Sequence, residues 1–185
     1  MLSLVDLWMP ILVSAVFVFV VSSVLHMCIP IHKGDYRGLP NEANVLESLR
    51  ANGVPPGQYM FPHCEEMKDL GSPEMKEKFA NGPIGTIIVR PAGMPSMGKA
   101  LGQWFLYTVL IGAVVAYLAS LALPAGADAS TVFRLTGTAG ILGYAFSSFT
   151  ESIWKGLSWG VTAKFVFDGV LYGLATGAAF AWLWP

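Results

Sequence analysis

Apolar residues crowd into four stretches of the chain, near 6–28, 101–123, 131–152 and 162–183, and the residues between the first two are polar. Each stretch is long enough to cross roughly 30 Å of hydrocarbon at about 1.5 Å per helical residue. The pattern predicts an all-α integral membrane protein with four transmembrane helices, and a small mixed α/β segment between helices one and two. The expected organisation is an N-terminal anchor at 1–29, a membrane-associated cytoplasmic segment at 30–98 and a three-helix bundle at 99–185.

Inside three of these stretches small residues recur at helical spacing. The last carries Gly169, Gly173, Gly177 and Ala181, every fourth position of an otherwise apolar run. The second carries Thr108, Gly112, Ala116 and Ser120; the third carries Ala139, Gly143 and Ser147 with Thr136 and Gly140 beside them. Lipid tails are as apolar as leucine, so helices in a bilayer associate through close backbone approach and polar links, which small residues permit. Three such stripes predict one tight cluster built like a glycine zipper. The first stretch is rich in Val, Phe, Leu and Ile, and is expected to pack loosely, face lipid or engage another subunit.

The polar segment has local signals of its own. Asn41 reads as the cap of a helix running through Ser48–Arg50 that Gly53 ends. Val54-Pro55-Pro56-Gly57 forces extended or turn backbone. Tyr59-Met60-Phe61 and Thr86-Ile87-Ile88-Val89 are the strand candidates, and Ser72-Pro73-Glu74 opens a second helix closed by Asn81-Gly82. So few apolar groups should not form an independent core, which places the segment against the membrane face or a partner.

Composition agrees with the pattern. The chain is 54% hydrophobic and only 12% charged, against the roughly 25% charge of soluble domains. A net charge of −1 gives no footprint for nucleic acid. Two cysteines, Cys28 and Cys64, are too few for a disulfide framework. The first stretch has Asp6 and no basic residue ahead of it, so it reads as a retained span and not a cleaved signal. Lys33, Arg37, Arg90 and Lys99 flank the long polar segment, and Lys155 and Lys164 lie between the third and fourth stretches. By the positive-inside rule that segment is cytoplasmic and both termini are outside, in a membrane of the bacterial inner (plasma) type.

Charges inside apolar runs are costly and need partners. Asp168 has Lys164 four residues before it on the same helical face, and Glu151 has Lys155 at the same spacing. These four residues are expected to form an intramembrane charge cluster, as a clasp between the last two spans or as an ion relay.

His63-Cys64-Glu65-Glu66 is the densest set of metal-ligating types, but adjacent residues point apart and a site needs converging ligands. His63, Cys64 and Glu65 are therefore weak metal candidates, and no cofactor is expected. His26 is the sole histidine inside the apolar stretches, too few for a bis-histidine haem. No phosphate loop, G-x-S-x-G elbow or H-E-x-x-H helix occurs. The expected function is that of a non-catalytic accessory, assembly or interaction subunit, with the bilayer and other membrane subunits or a second copy as partners. The rival is a small proton-coupled transporter or ion pathway using Asp168, Lys164 and Glu151.

Overall fold

A computed structural model describes residues 2–185. In chain order the elements are helix α1 (Trp8–Ser23), helix α2 (Glu42–Ala51), strand β1 (Gly57–Phe61), helix α3 (Pro73–Asn81), strand β2 (Gly85–Val89), and helices α4 (Met97–Ala122), α5 (Ala129–Ala145), α6 (Ser148–Lys155) and α7 (Trp159–Leu183). Three helical segments are long and apolar enough to cross a membrane: Trp8–Cys28, Met97–Ala122 and Trp159–Leu183, with mean hydropathies of 2.4, 2.1 and 1.4.

The third apolar stretch does not form one long helix. α5 holds 17 residues, about 25 Å at helical rise, and the chain turns at Phe146–Ser147 before α6. At that turn Phe149 N donates to Phe146 O and Thr150 N to Ser147 O, so the bonds tighten to three-residue spacing. The Thr150 hydroxyl also donates to Ser147 O, the local side-chain competition that bends helices.

The chain folds as two compact units. The first joins residues up to Asp35 with Ser96–Pro185. Within it α7 is central, packing on α5 along its length and also on α1 and α6. A Cβ on Gly173 would lie 2.5 Å from Ile141 N and 2.9 Å from Gly137 O; one on Gly169 would lie 2.6 Å from Ala145 Cα; one on Gly177 would lie 2.9 Å from Phe133 O. On the α5 side, a Cβ on Gly140 would meet Gly173 Cα at 3.0 Å, and Gly143 faces Ile111 of α4. Ala181 packs at the margin of the cluster of Leu7, Ile11, Val115, Ala116, Val132 and Phe180.

α1 corrects the expectation of a loosely held anchor. Leu7, Ile11, Ser14, Ala15, Val18, Ser22 and Leu25 are all buried along one face, and α1 packs against α4 and α7. The close approach runs through small residues on both sides: a Cβ on Gly112 would meet Ser14 Oγ at 3.1 Å and Ile11 O at 3.2 Å. The boundary at residue 29 accordingly does not divide the bundle.

The second unit spans Tyr36–Pro95. β1 and β2 pair antiparallel with Tyr59 opposite Ile87. Ser72 Oγ accepts Met75 N at the start of α3, and Met75 is the unit's one buried side chain. Asn41 precedes α2 in left-handed backbone (φ 53°) without a side-chain cap; its carbonyl accepts Asn44 N and Val45 N instead.

Candidate functional site

The site begins where α1 ends. After Ser23 the helix widens into a π-type turn over Val24–Cys28, in which Ile29 N reaches back to Val24 O. Such single wide turns often mark functional positions. Pro30 then blocks further helix, since it has no N–H to give, and a 3₁₀ turn over Pro30–His32 folds the chain back. The result lays His32 on His26, with ring centroids 4.4 Å apart and planes within 10°.

Both imidazoles face Asp168 of α7. His32 Nε2 is 2.9 Å and His26 Nε2 3.8 Å from Asp168 Oδ2. The Asp168 side chain is 2% exposed. His32 Nδ1 lies 2.7 Å from Asp35 Oδ2, and Lys164 Nζ donates to Asp35 Oδ1 at 2.6 Å. The Lys164 ammonium first, and the His32 ring second, hold the Asp35 carboxyl below the usual aspartate range. His26 Nδ1 lies 3.1 Å from Ser22 O. A carbonyl only accepts, and an ionised carboxylate only accepts, so at both rings Nδ1 is the donor in these contacts.

The four charged residues expected to cluster do not gather into one group. Lys164 is taken by Asp35, which the turn after α1 carries to it. Asp168 sits a helical turn deeper, against the histidines. Glu151 and Lys155 pair with each other at 2.8 Å, both substantially exposed, a surface pair of small energetic weight. Of the loop trio His63, Cys64 and Glu65, Cys64 Sγ is engaged with Glu66 O. Among the described residues, the one group of three converging metal-ligand types is His26, His32 and Asp168.

His26 and Asp168 also form one wall of a cavity of about 690 Å³ between α1, α4, α5 and α7. Its floor is a set of packed rings: Trp104 lies 5.7 Å from Tyr172 and 5.6 Å from Tyr107, and Tyr144 lies 5.7 Å from Tyr172 and 6.0 Å from Tyr107. Three of their polar ends are engaged within the bundle, Trp104 Nε1 donating to Ser22 Oγ at 3.0 Å, Tyr107 OH to Gly143 O at 3.2 Å and Tyr144 OH to Thr108 O at 3.5 Å. Met27 and Met97, both largely exposed, stand at the rim. A second hollow of about 350 Å³ is lined by His26, Met27, Cys28, His32 and Lys33, and so shares His26 and Met27 with the first.

His26 and Asp168 stand out in the sequence because they fall inside apolar runs, whereas His32 and Asp35 lie in the polar segment with no such signal. The available signal was the run His26-Met-Cys-Ile-Pro-Ile-His32-Lys-Gly-Asp35, in which Pro30 enforces a reversal between two histidines. Compared with protein-family models, curated proteins and solved structures, the chain matches none. Fold and site together describe a mostly helical, membrane-embedded type of chain with a polar cluster beside an aromatic cavity.

Proposed function

We propose that this is a polytopic membrane protein that binds a lipid-soluble small molecule, its apolar body in the aromatic cavity and its polar head against His26 and Asp168. One observation carries the reading: a largely apolar, aromatic-lined cavity with a few polar groups, His26 and Asp168 among them, the usual composition of a ligand site. In this reading α5 is the fourth crossing, residues 30–98 are cytoplasmic and both termini are outside. The distribution of Lys and Arg supports that orientation.

The test is ligand-dependent stabilisation in lipid nanodiscs. A ligand that binds only the folded state at 100 times its Kd raises stability by about 2.7 kcal/mol. A long-chain alcohol and the matching fatty acid are the probes, and saturable stabilisation by either is expected. Ser148→Trp, which places a large ring at the cavity wall, should abolish it while leaving the unliganded melting temperature close to that of the parent. Non-saturable effects equal in parent and variant would remove the reading.

A second reading, an ion pathway through Asp168 and Lys164, draws on the unbroken series of close polar contacts from Asp168 through His32 and Asp35 to Lys164. Flux in proteoliposomes that Asp168→Asn abolishes would favour it; equal flux in both proteins would dismiss it.

A further inference from the structure

We infer that His26 Nε2, His32 Nε2 and one carboxylate oxygen of Asp168 form a binding site for a divalent transition-metal ion of the zinc class, with its remaining coordination position turned toward the aromatic cavity. This deepens the ligand-binding reading by making the polar head an electron-pair donor to the ion.

Three geometric observations carry it. The three ligand atoms lie within 4.8 Å of one another. Ligands bound tetrahedrally at about 2.0–2.1 Å lie about 3.3 Å apart, and the two contacts to Asp168 Oδ2, 2.9 and 3.8 Å, bracket that value. His32 Nε2 and both Asp168 oxygens are buried and lack a hydrogen-bond partner. The 2.9 Å contact is thus not aligned as N–H···O, and it leaves buried donor atoms free for an ion, which the two stacked rings would bind after a small change in their tilt.

The supporting groups agree. A metal-bound histidine normally donates its other N–H to a carboxylate or a backbone carbonyl, which fixes the tautomer and the ring. Asp35 does this for His32 and Ser22 O for His26. Charge favours a cation as well: with neutral imidazoles, Asp168 and Asp35 bring two negative charges against the single positive charge of Lys164, so the cluster without an ion is net negative. Two nitrogens and one oxygen suit zinc or another borderline ion better than calcium or magnesium, which prefer oxygen. The smaller hollow, lined by His26, Cys28 and His32, supplies an entry path to the ligand atoms.

The test uses the full chain in detergent or nanodiscs, stripped with a chelator and titrated with Zn²⁺ or Co²⁺ alone. About one ion per chain is expected, and bound Co²⁺ should show the intense visible bands of a low-coordinate site. Asp35→Asn should weaken affinity about 10–100-fold, and His32→Ala should abolish stoichiometric binding. The Co²⁺ spectrum of the parent protein needs no variant, so a misfolded substitution leaves the test intact. No binding by the parent, binding that survives in folded His32→Ala, or the weak spectrum of six oxygen ligands each overturns the site. Stabilisation by the lipophilic probes, measured with the metal removed, reports the cavity separately, so failure of one proposal is distinguishable from failure of the other.

Discussion

At the scale of single residues, the close seam of α5 and α7 makes its glycines intolerant of any side chain. A Cβ at position 169 would lie 2.6–2.7 Å from the backbone and Cβ of Ala145, distances at which the helices themselves must move. Gly169→Ala is expected to destabilise by about 1–3 kcal/mol, the usual cost of overpacking, despite the better helix propensity of alanine. Gly173→Leu should be far worse than Ala178→Leu, because Ala178 lies on the exposed side of the same helix. Thermal unfolding of the two variants checks this: equal losses would mean that the seam is not where the stability resides. The four-residue spacing of these glycines was legible in the chain. Their facing partners Gly137, Ile141 and Ala145 were less so, since a contact between helices is not written in either helix alone.

At the scale of elements, helix starts can be tested one at a time. Asp128 precedes α5, and its Oδ1 accepts Ser130 N at 3.0 Å and Thr131 N at 3.1 Å while the Thr131 hydroxyl bonds its other oxygen. The Thr131 hydroxyl first, then the backbone N–H groups, hold this carboxyl below the ordinary value of 3.8. A depressed carboxyl contributes stability that is complete above the unfolded-state value and is lost as pH falls through the lower folded one. Amide protection factors at Ser130 and Thr131, which divide out the intrinsic pH dependence of exchange, should therefore hold from pH 7 down to about 4 and drop only below that. Asp128→Ala should speed the same amides already at pH 7. A protection factor in the parent that drops between pH 7 and 5 would contradict the capping role. The start of α3 was readable from Ser72-Pro73, whereas Asn41 was misread as a side-chain cap, because left-handed backbone lets its carbonyl serve α2 instead. α1 was misjudged for a related reason. Its contact face mixes large and small residues, and Ser14 and Ser22 matter through what they allow to approach, namely Gly112 and Trp104.

At the scale of the whole molecule, stabilisation inside a bilayer depends on packing more than on burial from water. Phe180 is fully buried among Leu7, Ile11, Val115, Ala116 and Val132. In a soluble core its truncation forfeits both a transfer term and a cavity term. If the bundle sits in lipid, the unfolded reference is itself apolar and the transfer term largely vanishes, so Phe180→Ala should cost about 2–3 kcal/mol, nearer the cavity contribution than the 3–5 kcal/mol typical of water-soluble cores. Reversible unfolding in bicelles measures it. Orientation is the other whole-molecule property, and Cys64 reports it directly. With Cys28 replaced by Ser, Cys64 is the single thiol of the chain. A membrane-impermeant maleimide applied to intact cells should leave it unlabelled, and the same reagent should label it in inverted vesicles. The charges that set this expectation lie near the ends of apolar helices: Lys33 follows α1, Arg90 precedes α4 and Lys99 lies in its first turn, and Lys155 and Lys164 flank the turn into α7. They act locally on each crossing, so reversal by the long segment between them would require several crossings to invert together. Labelling from outside would therefore invert every crossing and place the histidine–aspartate cluster, at the end of α1, on the opposite face of the membrane.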